Sequence, residues 1–151
     1  MRKGQAALEF LTTYGWAFIV ILVMIGALAY FGVLNPSKVL PNKCTAEAGF
    51  SCKDYRILST NVSVVLSNGK GGGFTVGNVT AESDAGKVQG CEVTPSSTVP
   101  VDSEFTITCD DGTDLSTAVG EKVKVTFEMS YIMARGTYNQ SFRGEIYSEV
   151  R

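Results

Sequence analysis

Histidine is absent from all 151 residues of this chain. The commonest general base and the commonest nitrogen ligand for metals are therefore both missing. No Cys-x-x-Cys occurs, so a zinc site would need the thiolates of Cys44, Cys52, Cys91 and Cys109 at poorly matched spacings. No nucleophile or cofactor motif is present, and neither an enzyme nor a bound cofactor is expected. Basic side chains are also scarce. Setting aside Arg2, Lys3 and Glu9 leaves 11 basic against 14 acidic residues in 35–151, without the basic patch of a nucleic-acid binder. Proline is missing before Pro36, and charge is missing from Phe10 to Leu34.

Those last two absences define the first feature that is present. Nothing before Pro36 would break a helix, and the uncharged run is long. At ~1.5 Å per residue it would extend roughly 37 Å, against a hydrocarbon core of about 30 Å. A secretory signal peptide has a shorter apolar run followed by a small-residue cleavage site. Here no such site follows, and the plausible processing point, Gly4–Gln5, lies in front of the run. The apolar helix is thus expected to survive processing. Arg2 and Lys3 precede it and no basic cluster closely follows, which places the amino terminus in the cytoplasm and the remainder outside. Gly15, Gly26 and Gly32 fall within the run and could mark close-packing faces, but no GxxxG spacing occurs.

Lys3-Gly4-Gln5, Glu9 at the fifth position from Gln5, and the apolar helix behind it resemble archaeal type IV pilin-like proteins with a glutamine-type (class III) prepilin signal. That family has serine third and leucine ninth, where this chain has Ala7 and Thr13. The resemblance covers about the first 34 residues. It implies cleavage after Gly4 by a prepilin peptidase, then polymerisation with copies of itself and other pilins. It also implies an assembly ATPase, a membrane platform protein, and a surface filament reached from the membrane. Glu9 has a physical reading of its own. A carboxylate in a membrane helix costs roughly 2.5–3.5 kcal/mol at the bilayer centre and less near the interface, so it needs a partner or a task. It cannot easily reach its own α-amine around a formed helical turn, but it can meet the amine of a neighbouring subunit. Such a pair would offset both desolvation costs and fix axial register, the role the resemblance assigns to Glu9.

Four cysteines in an extracellular domain are best read as two disulfides, for which sequence allows three pairings. Cys44–Cys52 is favoured as a short local loop. Cys91–Cys109 is favoured by phase: Cys91 shares a face with Val93, and Cys109 with Phe105 and Ile107. The remaining sequence reads as strands. Val123 to Met133 alternates with a period of two, and Thr137 to Val150 returns after a turn at Arg135–Gly136. Leu58 to Leu66 alternates likewise. Ser67–Gly73 reads as a turn leading into Phe74–Ala81, and shorter strands at 87–94 and 104–109 bring the total to about six. The expected fold is α+β, a long hydrophobic helix followed by an antiparallel, immunoglobulin-like β-sandwich. Its expected segments are a leader at 1–4, a helix at 5–34, a linker or cap at 35–54, and a head at 55–151.

Two segments invite a chemical reading that their context denies. Lys70–Gly73 lacks the Gly-Lys-Ser/Thr ending and following helix of a phosphate loop. Asp110–Asp114 lacks the flanking helices of an EF-hand, so a solvated turn is expected. Three N-glycosylation sequons begin at Asn61, Asn78 and Asn139. Asn61 and Asn139 are expected to be accessible. Asn78 shares parity with Phe74 and Val76, so it is accessible only if Gly77 breaks the phase. The function expected is a structural filament subunit serving adhesion or surface attachment. The rival is an anchored extracellular binding or adhesin domain that does not polymerise.

Overall fold

The computed structural model of the chain describes residues 2–32 and 40–151. They fall into two compact units divided between Leu40 and Pro41. The first contains helix α1, Arg2–Tyr30, 29 residues or about 43 Å long. It is continuous, as the absence of proline permits. The expected helix end at Leu34 lies outside the described residues, and helical geometry stops earlier. Phe31 N–H donates to the Ala27 carbonyl at 2.9 Å and Gly32 N–H to the Ala29 carbonyl at 3.1 Å. Gly32 then takes φ 70°, a left-handed conformation that glycine adopts without steric cost and that commonly ends helices.

The second unit holds nine strands: β1 Lys43–Ala46, β2 Phe50–Ile57, β3 Val62–Asn68, β4 Phe74–Ser83, β5 Cys91–Thr94, β6 Thr98–Val99, β7 Glu104–Cys109, β8 Lys122–Met133 and β9 Asn139–Glu149. They form two antiparallel sheets, ordered β1-β9-β8-β4-β6 and β2-β3-β7-β5. The fold is therefore α+β, a long apolar helix followed by two antiparallel sheets. The strand order is compatible with the immunoglobulin arrangement, whose two sheets run ABED and CFG: β2-β3-β7-β5 would match the first, and β9-β8-β4 the second.

The two inner faces share one core. Val123, Val125, Phe127, Met129 and Tyr131 of β8 are buried, and so are Val62, Val64 and Leu66 of β3. Phe50 of β2 makes edge contacts across the interface with Phe142 of β9 at 4.8 Å, Tyr131 of β8 at 5.6 Å and Phe74 of β4 at 5.7 Å between ring centroids. Such edge-to-face pairs add to the free energy of area burial.

The expected linker at 35–54 is corrected by these strands. Residues 43–46 and 50–54 are strand, so the folded head begins near Pro41 rather than at residue 55. The period-two signal of β2 is broken by a bulge between Cys52 and Asp54, which turns Lys53, Asp54 and Arg56 outward together. The Leu58–Leu66 strand is also shorter than expected. Leu58 N–H donates to the Asn61 carbonyl at 2.7 Å in a turn, and pairing starts at Val62.

Candidate processing and assembly segment

Gly4, Gln5 and Glu9 all lie on α1, so the junction expected to be cut sits within its first turns. Gly4 is exposed, with nothing near the position a β-carbon would occupy. A peptidase cutting there would have to unwind one end of a helix, the part that frays most readily. Glu9 is exposed, and its carboxylate meets no hydrogen-bond or ion-pair partner among the described residues. Its backbone carbonyl is well served. It accepts from Thr13 Oγ1 at 2.8 Å and Thr12 Oγ1 at 3.1 Å, and Thr12 Oγ1 also reaches the Leu8 carbonyl at 3.0 Å. Back-bonding of this kind lets hydroxyls enter an apolar environment already satisfied. These threonine roles were not evident from the apolar pattern, although two adjacent Ser/Thr residues in a membrane helix are a usable signal for them.

Apart from Glu9, Thr12 and Thr13, the helix from Ala6 onward is apolar on every side and unburied. Leu8, Phe10, Leu11, Trp16, Phe18, Ile19 and Val23 are each more than half exposed. Residues Ala6–Tyr30 are long and apolar enough to cross a membrane. A helix apolar all round and this near the amino terminus fits a membrane anchor or a signal sequence, because water around it forfeits the hydrophobic free energy of every side chain.

The head contains two disulfides, Cys44–Cys52 and Cys91–Cys109. The first joins β1, an edge of one sheet, to β2, an edge of the other. The second links directly opposed residues of β5 and β7. Both indicate an oxidising compartment.

The glycine-rich and acidic segments are both tied down by hydrogen bonds within the head. Asn68, fully buried at the end of β3, pins the loop at 69–73, so the expected turn at Ser67–Gly73 begins two residues later. Its Nδ2 donates to the Gly72 carbonyl at 3.0 Å and the Pro100 carbonyl at 2.8 Å, and its Oδ1 accepts from Lys70 N–H at 3.0 Å. The Lys70 ammonium lies 5.2 Å from the Phe50 ring centroid, a cation–π contact rather than a phosphate ligand. In the second segment, Asp114 is hydrogen-bonded through its backbone to Lys87. Among the described residues no group of three or more potential metal-binding side chains occurs.

The Asp114 carboxylate accepts from Ser116 Oγ at 2.7 Å and Ser116 N–H at 3.1 Å. The hydroxyl bond first, and the backbone bond second, hold its carboxyl below the usual carboxylate range. Any stabilisation from this lowered pKa is present above the unfolded value and lost as pH falls through the folded one. Ser116→Ala is expected to raise the Asp114 pKa toward its ordinary value, which NMR titration of the carboxyl carbon would register; an unmoved titration would assign the shift elsewhere.

An open groove of about 610 Å³ runs past Asn42, Tyr55, Arg56, Ser63, Glu149 and Arg151. Its charges, Asp54 and Glu149 against Arg56 and Arg151, are of both signs. The three sequons differ in access. Asn139 and Asn78 are exposed, whereas Asn61, in the turn before β3, is half-buried rather than displayed on a polar strand face. Comparison with known protein families and with curated proteins finds no match to this chain.

Proposed function

We propose that this protein is a structural subunit of a type IV pilus-like surface filament, of the archaeal kind with a class III signal. A prepilin peptidase cuts after Gly4 and frees the α-amine of Gln5. The helix leaves the bilayer and packs among copies of itself and other pilins, while the β head coats the outside and serves adhesion or surface attachment. An assembly ATPase and a membrane platform protein drive the transfer.

The observation that carries this reading is Glu9, a carboxylate that meets no partner among the described residues, set five positions into a segment that begins at Gln5 and continues as an exposed apolar helix. A permanent anchor needs the apolar length but has no use for the carboxylate or for the Gly4–Gln5 junction in front of it. Inside a bundle of helices, pairing Glu9 with a neighbour's Gln5 amine offsets the desolvation of both groups. The same pair sets the axial step, because a shift by one residue would leave both charges unpaired. The disulfide-linked head supports exposure outside the cell.

The reading is tested by mild shearing of native cells followed by ultracentrifugation and electron microscopy with an antibody raised to the head. Pelletable, antibody-decorated filaments are expected without detergent. Protein that stays with the membrane and is released only by detergent would instead identify an anchored binding domain.

A further inference from the structure

We infer that Asn78 and Asn139 are paired N-glycan acceptors whose sugars cover the exposed apolar residues at one end of the β4-β8-β9 face. This rests on the extracellular placement of the head in the reading above. It begins with a bulge. β4 pairs with β8 through Val76↔Tyr131 and resumes at Val79↔Met129, so Gly77 and Asn78 together occupy one step of the ladder. Phe74, Val76, Val79 and Ala81 therefore face the core, while Thr75, Asn78 and Thr80 are exposed. A single extra residue transfers the sequon from the inner to the outer side. Ser130 locks the bulge: Asn78 N–H donates to Ser130 Oγ at 2.8 Å, and Ser130 Oγ donates to the Asn78 carbonyl at 3.3 Å. A β-carbon on Gly77 would collide with Ser130 Oγ, so glycine is required there.

Asn139 opens β9 on the other side of β8. It stands opposite Ile132, one outward position along from Ser130. With strands about 4.8 Å apart, β4 and β9 flank β8 at roughly 10 Å, within the span of one or two sugar rings. Asn139 and Ser141, like Asn78 and Thr80, are exposed, so both acceptor amides and both sequon hydroxyls share the outer face. Beside the two acceptors lies Ile132, 41% exposed, a large apolar side chain on an otherwise polar face, and Tyr138, 85% exposed, stands in the bend that leads into Asn139. The C–H faces of a sugar pack well against such groups. Asn61 offers no comparable space. It is half-buried, and its turn is tied to Arg151 and Leu115 through Ser59.

Transfer would take an oligosaccharide carried on a polyisoprenyl phosphate and a membrane transferase. The acceptor Nδ2 forms a bond to the anomeric carbon, the bond from that carbon to the phosphate oxygen breaks, and the lipid phosphate departs. The amide proton lost passes to a base on the transferase.

Glycopeptide mass spectrometry of surface protein from native cells tests the assignment, with the mature amino terminus and the Cys91–Cys109 linkage read from the same digest. Sugar is expected on the peptides containing Asn78 and Asn139, with Asn61 bare. Disulfide-linked protein bare at Asn78 or Asn139, or modified at Asn61 instead, would overturn it. The outcome separates from that of the filament reading. A Gln5 start without sugar sinks the glycan proposal alone, and sugar on a chain starting at Met1 sinks the filament reading alone. A double variant, Asn78→Gln with Asn139→Gln, is expected to bind an apolar dye several-fold more strongly while keeping both disulfides and its melting temperature. Unchanged dye binding would overturn the covering role.

Discussion

Glu9→Ala is expected to abolish filament release, reducing sheared material at least tenfold, while the chain is still inserted into the membrane and still cut after Gly4. Removing the carboxylate makes the membrane helix easier to insert, because a charge that costs roughly 2.5–3.5 kcal/mol at mid-bilayer is gone. The loss must then arise later, when a neighbour's Gln5 amine enters an apolar bundle with nothing to neutralise it. Breaking a buried pair from one side costs about 3–5 kcal/mol. Only about 1.4 kcal/mol is needed for a tenfold change in an equilibrium. Glu9→Gln, which keeps the shape and removes the charge, should fail similarly, and Glu9→Asp should retain part of the yield. Wild-type quantities of filaments from Glu9→Ala would remove the register role altogether.

Phe74→Ala is expected to be the most damaging single truncation in the head, costing about 3–5 kcal/mol. Phe74 is fully buried on β4 and sits 5.2 Å from Tyr131, 5.4 Å from Phe105 and 5.7 Å from Phe50 between ring centroids. Its rings on both sheets would face a cavity that rigid strands cannot close. Against a net stability of about 5–15 kcal/mol for an ordinary domain, this is a large fraction. Thermal unfolding followed by near-ultraviolet circular dichroism should fall by more than ~12 °C, at roughly 4–8 °C per kcal/mol for a domain of this size. Thr75→Ala, on the exposed side of the same strand, should stay within about 0.5 kcal/mol. Equal effects from the two variants would mean that the core of the head is not where this register puts it.

The parts of the fold legible in the sequence were those with an undisturbed period. In β8 the alternation Val123 to Tyr131 matches burial residue by residue, and α1 needed only the absence of charge and proline. The edge strands were not legible. β1 is four residues long and pairs with β9, about a hundred positions away, through Lys43↔Tyr147 to Ala46↔Gly144. Nothing local announces such a partner. β2 and β4 each carry a bulge, and a bulge shifts parity so that alternation reads wrongly beyond it. That is why Asn78 could be placed only conditionally, and why 43–54 resembled a linker. β6, at two residues, carries no periodic signal at all.

The candidate processing and assembly segment was legible for a different reason. Glu9 is conspicuous because it is a lone charge at the head of an apolar run, and that anomaly survives without any knowledge of packing. What surrounds it was not. The hydroxyls of Thr12 and Thr13 read as mild interruptions in the apolar pattern, yet both fold back onto the carbonyls of Leu8 and Glu9, so neither is an unsatisfied donor.

The mature amino terminus of shear-released surface protein, determined by mass spectrometry, tests the central claim most directly. The account predicts a chain beginning at Gln5, with Glu9 and the whole apolar helix retained. A chain that keeps Met1, or one cut after the helix so that a soluble head is released, would contradict it.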